Sequence, residues 1–385
     1  MIKPYVTRFF PLFAIAFLLL FIASCKKDKQ TTPPPVMATP KKVGLYELKQ
    51  SNSDNSISRV LVMVIPEIGT KKLNQSIELV FDTGSGGLVI DANEVLPSSM
   101  ITPSGFNFTG DSTVVDGITI TNQKNTIVFG DDANTTNTVY GNLAYANVTL
   151  GDQADNIVVK RIPFFLYYKV VNSGGSSNFD KGDFDVFGVS DQFDITFNNG
   201  VSVYSPLNYY EPGTGLTKGF KMPALGTDNF TTSGAYVPGV ITLGLTPDDL
   251  SSSSGYTMTH LSLQNDGSYS PDIASTVTYN GKQVTNSQNR SQVYVLFDTG
   301  TIPYSYIQDY SGPNSLTLVP TNSKVTIKTN SGFNYTYTIT DTDYITYVEN
   351  PNQSREDTTI FGIEFFLENS FLLDYAHHTL GVKNN

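Results

Sequence analysis

The sequence predicts an all-β protein made of two similar halves. Short runs of β-branched and aromatic residues, each closed by Gly, Asn, Asp or Pro, recur through most of the 385-residue chain. A segment of the first half returns in similar form in the second half, and no long amphipathic helix is evident after the N-terminus. We therefore expect two β lobes, folded as small barrels and related by a pseudo-twofold axis, with few short helices.

The N-terminus has the pattern of a bacterial lipoprotein signal peptide. Lys3 and Arg8 introduce an almost unbroken apolar run over residues 9–22, which suits a signal-peptide core and is short for a membrane span. Small residues then lead directly to Cys25, in a context that resembles the lipobox of bacterial lipoproteins. We expect residues 1–24 to be removed and Cys25 to carry lipid. The alternative is an ordinary signal peptide with a chance cysteine.

The next segment predicts a tether, and the rest predicts the two lobes. Residues 25–42 are rich in Pro, Thr and Lys, a composition that forms no packed core. We expect an N-terminal lobe over residues 43–205 and a C-terminal lobe over residues 206–385. Lys26 and Lys27 after the lipidated cysteine favour the outer membrane as the location. The sequence leaves open whether the protein is on the periplasmic or the surface face. We expect the lipid to be the only membrane contact.

Composition excludes several classes of function. Cys25 is the only cysteine, so the exported part has no disulfide, thiolate metal cluster or cysteine nucleophile. Asp and Glu outnumber Lys and Arg by 35 to 24, a balance that argues against a nucleic-acid partner. His260, His377 and His378 are the only histidines, and the last two fall at a predicted solvated turn. Without a Gly-x-Ser-x-Gly motif or a spaced ligand set, neither a serine triad nor a metal site is expected.

Strands and turns follow from local patterns in chain order. An Asn-Gly pair at residues 280–281, between two extended segments, predicts a type I′ hairpin turn. Short helical pieces are expected near residues 205–207, 246–250 and 362–369. The strands predicted from β-branched and aromatic runs begin with a first strand at residues 43–48 and continue at residues 59–65, 76–81, 126–129, 156–168, 293–297 and 324–328.

The internal repeat centres on Asp-Thr-Gly. Residues 77–85 read IELVFDTGS, and residues 293–301 read VYVLFDTGT. Each copy is followed much later by two apolar residues and a glycine, at residues 186–188 and 360–362. Two halves with the same order of elements suggest gene duplication and a symmetry axis between lobes.

The two Asp-Thr-Gly copies predict a pair of catalytic carboxyl groups. Asp82 and Asp298 each end an apolar strand, and two carboxylates brought together across an axis cannot both ionise cheaply, so they share a proton. One then acts as a general base on water, while the protonated one polarises a carbonyl. The competing interpretation is a pair of structural Asx-turns. The residues expected to support the pair are Thr83, Gly84, Ser85, Thr299, Gly300 and Thr301.

Residues 59–382 resemble the pepsin-like aspartic peptidases. The resemblance lies in both Asp-Thr-Gly segments, in the closing stretch at residues 360–382, and in the segment at residues 239–244. It implies a two-lobed β fold with a long cleft that binds an extended peptide or unfolded protein, closed by a hairpin flap. It also implies a water nucleophile and no cofactor. We expect the protein to act as a monomer.

Departures from the family pattern leave two functions open. Where the family has Tyr-Gly in its flap, the best match here is Phe129-Gly130, and Tyr140 followed by glycine is a second candidate. The chain also lacks the tryptophan usual in the family. The sequence therefore favours an active aspartic endopeptidase. The alternative is a catalytically inactive lipoprotein of this fold that binds peptide or glycan in the interlobe cleft.

Overall fold

The computed structural model describes residues 37–130, 136–152, 156–175, 179–354 and 357–385. The predicted signal segment, Cys25 and most of the predicted tether lie outside these residues. Strand is the dominant regular structure of the described part, which confirms the all-β prediction. Its strands are β1 (Lys41–Ser51), β2 (Ile57–Ile68), β3 (Lys71–Asp82), β4 (Gly86–Asp91), β5 (Ile101–Thr102), β6 (Gly105–Phe106), β7 (Ser112–Val115), β8 (Ile118–Phe129), β9 (Asn137–Leu150), β10 (Ile157–Asn172), β11 (Val186–Val189), β12 (Thr217–Met222), β13 (Ala235–Leu245), β14 (Thr257–His260), β15 (Ser262–Leu263), β16 (Tyr269–Ser270), β17 (Ile273–Tyr279), β18 (Lys282–Gln283), β19 (Val293–Phe297), β20 (Ser305–Gln308), β21 (Thr317–Leu318), β22 (Lys324–Thr329), β23 (Asn334–Thr338), β24 (Thr346–Glu349), β25 (Thr358–Phe361), β26 (Asn369–Asp374) and β27 (Thr379–Asn384).

Helices in the described residues are short, as the sequence predicts. They are α1 (Ala92–Val95), α2 (Pro351–Ser354) and α3 (Phe365–Glu368), with single 3-10 turns at Ser98–Met100 and Pro206–Tyr209. The expected helical piece near residues 246–250 is a hydrogen-bonded turn instead, because the Asp249 carboxylate binds the Thr246 N–H and stops the chain from winding further. Within the described ranges, no helix has the length and apolar character of a membrane span.

Two large sheets carry the fold. One has fourteen strands in the order β14-β27-β26-β12-β13-β1-β2-β3-β11-β4-β10-β9-β8-β7. It crosses the predicted lobe boundary at residue 205, because its first five strands come from later in the chain. The other sheet has nine strands, β17 to β25, all from residues 273–361. Neither large sheet closes on itself among the described strands, so the expectation of barrels is wrong.

The two Asp-Thr-Gly strands have equivalent neighbours. Strand β11 pairs parallel with β3 and antiparallel with β4. In the second half, β25 pairs parallel with β19 and antiparallel with β20. The same three-strand motif therefore occurs on both sides of the site, which gives the predicted pseudo-twofold relation a backbone basis.

Aromatic rings anchor the strands that lead to the site. Phe81 packs on Phe187 at a ring distance of 6.1 Å, joining β3 to β11. Phe297 stacks on Phe365 at 4.0 Å and lies 6.3 Å from Phe361, joining β19 to β25 and α3. All five rings are buried, and burying each contributes about 1.5–3 kcal/mol. The ends of β3 and β19 are thereby held at fixed positions.

Candidate active site

The two predicted carboxyl groups stand side by side where two strands end. Asp82 is the last residue of β3 and lies opposite Gly188 of β11. Asp298 follows β19 directly, and its N–H donates to the Phe361 carbonyl of β25 at 2.9 Å. The two apolar-apolar-glycine segments of the repeat thus flank the two aspartates.

A reciprocal set of hydrogen bonds ties the two loops together. The Thr83 hydroxyl donates to the Phe297 carbonyl at 2.8 Å and accepts from the Thr299 N–H at 3.0 Å. The Thr299 hydroxyl donates to the Phe81 carbonyl at 2.6 Å and accepts from the Thr83 N–H at 3.1 Å. Both threonines are buried, so each hydroxyl satisfies two backbone groups that water does not reach. The pseudo-twofold axis therefore relates the hydrogen bonds of Thr83 to those of Thr299.

Each carboxyl group is held by its own loop. The Gly84 N–H donates to Asp82 Oδ1 at 2.7 Å, and the Ser85 hydroxyl donates to Asp82 Oδ2 at 2.6 Å. In the second loop the Gly300 N–H donates to Asp298 Oδ1 at 2.7 Å, and the Thr301 hydroxyl donates to Asp298 Oδ2 at 2.6 Å. All six predicted supporting residues therefore lie within these two loops.

The pair is asymmetric. The Gly84 N–H also donates to Asp298 Oδ1, at 3.2 Å, so one amide joins both carboxyl groups. Asp82 receives a further N–H, from Ser85, at 3.0 Å. Asp298 is only 8 % exposed, whereas Asp82 is half-buried. The two carboxyl groups thus share a contact and accept from three donors each, but they differ in solvation.

Glycine is required in both loops because each carboxyl group contacts the opposite backbone. A Cβ atom on Gly84 would lie 2.6 Å from Asp298 Cγ, and one on Gly300 would lie 2.7 Å from Asp82 Cγ. Real Cβ atoms do not approach other atoms so closely. Any side chain at either position would push the carboxyl groups apart.

The surroundings favour one proton on the pair. Burial raises the pKa of Asp298 well above its usual range, and the charge and hydrogen bond of Asp82 raise it further. The donors Thr301 and Gly300 oppose this shift only in part. This environment therefore favours a proton on Asp298 beside Asp82. Such a pair can accept a proton from water and polarise a carbonyl at the same time.

A cavity of about 320 Å³ opens over the pair. Side chains from both halves line it, so it lies in the cleft between them. The lining residues are Asp82, Gly84, Ser85, Asp272, Leu296, Asp298, Thr301, Thr358 and Ile360.

The structure adds residues that the sequence pattern does not indicate. Gln192 donates from Nε2 to the Gly84 carbonyl at 2.6 Å and supports the first loop from behind. Asp194 accepts from the Gly86 N–H at 3.2 Å. Its side chain still reaches solvent but is closely surrounded by protein, and this desolvation, with the charge of Asp82, raises the pKa of Asp194 to about 7. Neither residue belongs to a recognisable motif, so no sequence signal points to them.

Both flap candidates lie on one hairpin formed by β8 and β9. Phe129 pairs with Asn137, and its ring lies 6.2 Å from Phe184 at an interplanar angle of 28°. Tyr140 lies on the other strand, with the Lys169 ammonium 5.2 Å from its ring centre. Gly130 follows Phe129, and residues 131–135, which connect the two strands, lie outside the described part. The described lining of the cavity includes none of these three residues.

Both histidines expected in a solvated turn contact an aspartate. His377 Nδ1 lies 2.7 Å from Asp374 Oδ2, three residues away. His378 Nδ1 lies 2.6 Å from Asp191 Oδ2, and its ring stacks on Tyr269 at 3.6 Å. Both partners of His378 come from distant parts of the chain, so the sequence gives no sign of the contact. Elsewhere in the described residues, no group of three or more His, Cys, Asp or Glu side chains is arranged to hold a metal ion.

Comparison with known proteins identifies the fold. No family model matches the chain, and no curated protein matches it. Among solved structures, the aspartic proteinase from Irpex lacteus aligns with a TM-score of 0.54 and 16% identity, covering 90% of this chain and 98% of that one. Basic 7S globulin from soybean aligns at 0.54 with 14% identity, and conglutin gamma from lupine seeds at 0.53 with 13%; each comparison covers 90% of this chain and 96% of the other.

The chain therefore has the two-lobed pepsin-like fold that the sequence predicts. At these identities the likeness concerns the fold alone. A proteinase and two globulins share this fold, so function has to be argued from the site.

Proposed function

We propose that the protein is an aspartic endopeptidase in which Asp82 and Asp298 share one proton and activate water. The observation that carries the proposal is the single amide of Gly84 donating to both carboxyl groups, at 2.7 and 3.2 Å. Two strand ends separated by more than two hundred residues are held together there by buried threonines. Holding two carboxyl groups together in such a site is costly, which favours a catalytic role over that of an ordinary turn.

Each carboxyl group has a role that fits its surroundings. Asp82, which has three donors and is the more solvated of the two, carries the negative charge and takes a proton from the attacking water. Asp298, buried and with a raised pKa, gives its proton to the substrate carbonyl oxygen as the water oxygen bonds to carbon. Asp82 then passes its proton to the amide nitrogen as the carbon–nitrogen bond breaks. Asp298 recovers a proton from the intermediate's hydroxyl, and the starting state returns.

An extended peptide is the substrate that best suits the cleft. The cavity over the pair is lined by residues from both halves, and the β8–β9 hairpin lies on the same half as Asp82. Extended peptides bind such clefts through backbone hydrogen bonds, with alternate side chains entering pockets. The proposed chemistry needs no cofactor, because water is the nucleophile.

The second candidate is a cleft that binds peptide or glycan without cutting. The observation that favours it is that basic 7S globulin and conglutin gamma have the same fold. The presence of both aspartates and all their hydrogen-bond donors favours the peptidase.

Cleavage of an unfolded protein between pH 3 and 8 tests the proposal. Wild type is expected to cut, whereas Asp82→Asn and Asp298→Asn should lose at least about a thousandfold in kcat/KM, because a neutral amide neither accepts a proton from water nor shares one. Asp228→Asn, which removes an equal charge at an exposed position, is the matched control. Cleavage by all four proteins at the same rate, or no cleavage by wild type, would refute the peptidase.

We also propose that lipid on Cys25 anchors the protein to the outer membrane. The apolar run before this cysteine and the lysines after it support the proposal. In the native bacterial host, wild type is expected in the outer-membrane fraction and Cys25→Ser in soluble fractions. Release of wild type without detergent would contradict an anchor.

A further inference from the structure

The cavity over the two aspartates has a third carboxyl group at its edge. Asp272 lines it together with Leu296 and Ile360. It is half-buried, and its backbone N–H donates to the Ser270 hydroxyl at 3.1 Å. The proposed reaction gives this carboxyl group no part.

Strand register places these three side chains in one row. Leu296 of β19 pairs with Ile360 of β25, so both side chains lie on the same face of the sheet. Ile273 pairs with Val295, and continuing this antiparallel register by one residue brings Asp272 opposite Leu296. The row therefore begins with the aliphatic side chains of Ile360 and Leu296, here called the aliphatic wall, and ends with the Asp272 carboxylate.

The row lies beside the reacting centre. Leu296 precedes Asp298 by two residues, about 7 Å along a strand, and neighbouring strands are about 5 Å apart. A substrate side chain beside the scissile bond, which would lie above Asp298, would pass Leu296 and Ile360 before it reached Asp272. An extended Lys or Arg side chain has this length. Its methylenes suit an aliphatic wall, and its charged head suits a carboxylate.

Asp272 lacks a cationic partner in the described residues. None of the ion pairs there includes it. Desolvation raises the pKa of Asp272, the charge of Asp357 adds to this, and the Ser270 hydroxyl opposes it. A substrate cation in the cavity would relieve the cost of a carboxylate that is otherwise partly desolvated without a counter-charge.

We propose that Asp272 makes the protein select peptides with Lys or Arg next to the scissile bond. This inference rests on the proposed function, since it names the substrate class of the same site. Asp272 is a specificity determinant and takes no part in proton transfer.

A matched pair of peptides tests the selection. The two differ only in Lys or norleucine at a position beside the cleaved bond, and both sides of the bond are tried. Wild type is expected to prefer Lys by at least about tenfold in kcat/KM, the size of a charge-assisted hydrogen bond. Asp272→Asn should reduce this ratio to near one, whereas Asp272→Glu should keep most of it. Asp228→Asn should leave it unchanged.

Two measurements separate this inference from the peptidase itself. If wild type cuts both peptides equally on each side, or if Asp272→Asn keeps the preference while melting as wild type does, the role of Asp272 is wrong and the peptidase stands. If neither peptide is cut, binding of the same peptides can still test the role of Asp272. It is measured on the Asp82→Asn protein and on the protein that carries both Asp82→Asn and Asp272→Asn. Tighter binding of the Lys peptide that is lost with Asp272→Asn supports the inference, and equal binding overturns it.

Discussion

At the scale of single residues, environment sets what a carboxyl group can do. Asp298 shares a buried site with a second carboxyl group and a raised pKa follows. Glu47 of β1 is also buried, but it has no ion-pair partner among the described residues and its Oε2 atom makes no hydrogen bond there. Desolvation raises the pKa of Glu47 to about 7. The first arrangement suits proton transfer, whereas the second only costs stability at neutral pH.

Glu47→Gln is expected to stabilise the protein above pH 7 and to have little effect below pH 4.5. The folded state holds the proton of Glu47 up to about pH 7, whereas the unfolded chain loses it near the usual value of 4.5. Folding stability therefore falls as pH rises through this window, and the glutamine removes the fall. Urea unfolding at pH 4.5 and pH 8 should show a gain of about 1–3 kcal/mol at pH 8 only. An equal effect at both pH values would contradict a buried, protonated Glu47.

At the scale of elements, the two halves of the molecule are joined at strand ends. The loops that follow β3 and β19 each contribute a threonine, and the hydroxyls of Thr83 and Thr299 donate to the carbonyls of Phe297 and Phe81 in the opposite strand. The Asn-Gly hairpin between β17 and β18 shows the opposite, wholly local case. Asn280 and Gly281 have φ angles of 48° and 76°, both positive as a type I′ turn requires, which confirms the sequence prediction.

Replacement of Thr83 by Val tests this junction. The change leaves the Thr299 N–H and the Phe297 carbonyl buried without their partner, so unfolding free energy should fall by about 2–4 kcal/mol. Peptide cleavage should fall with it, because the carboxyl groups lose their fixed spacing. Thr83→Ser keeps the hydroxyl and should retain most of both. If Val and Ser behave alike in urea unfolding, the hydroxyl has no structural role.

At the scale of the whole molecule, a buried ion cluster links the start of the fold to its end. Arg59 of β2 lies 2.6 Å from an Asp343 oxygen and 3.3 Å from Glu364 Oε1, just before α3. Burial raises the pKa of Glu364 to about 8, the charge of Asp343 adds to the rise, and Arg59 opposes it. The arginine is therefore the counter-charge for two acids from the far end of the chain.

Removal of that counter-charge should be costly. Arg59→Met leaves buried Glu364 unpaired, and the unfolding free energy at pH 9, where Glu364 is ionised, is expected to fall by about 3–5 kcal/mol. Arg59→Met combined with Glu364→Gln should recover much of this loss, because the uncompensated charge is gone. Additive losses in this double-mutant cycle would show that the two side chains do not interact.

The sequence by itself determined the fold class and the candidate site residues. Both depend on information within a few neighbours: the period of apolar residues, the turn signal of Asn280-Gly281, and the Asp-Thr-Gly motif after each apolar strand. Repetition of that motif supplied the symmetry as well. These features can be predicted because their physical causes are local.

Only the tertiary structure decided what surrounds the two aspartates. Gln192 and Asp194 reach the first loop from 108 positions away, and His378 meets Asp191 across 187 positions. Arg59 and Glu364 are 305 positions apart. Such contacts follow from sheet register and lobe packing, which bring unrelated segments together. No pattern in either segment predicts its partner, because the two side chains become neighbours only when the chain folds.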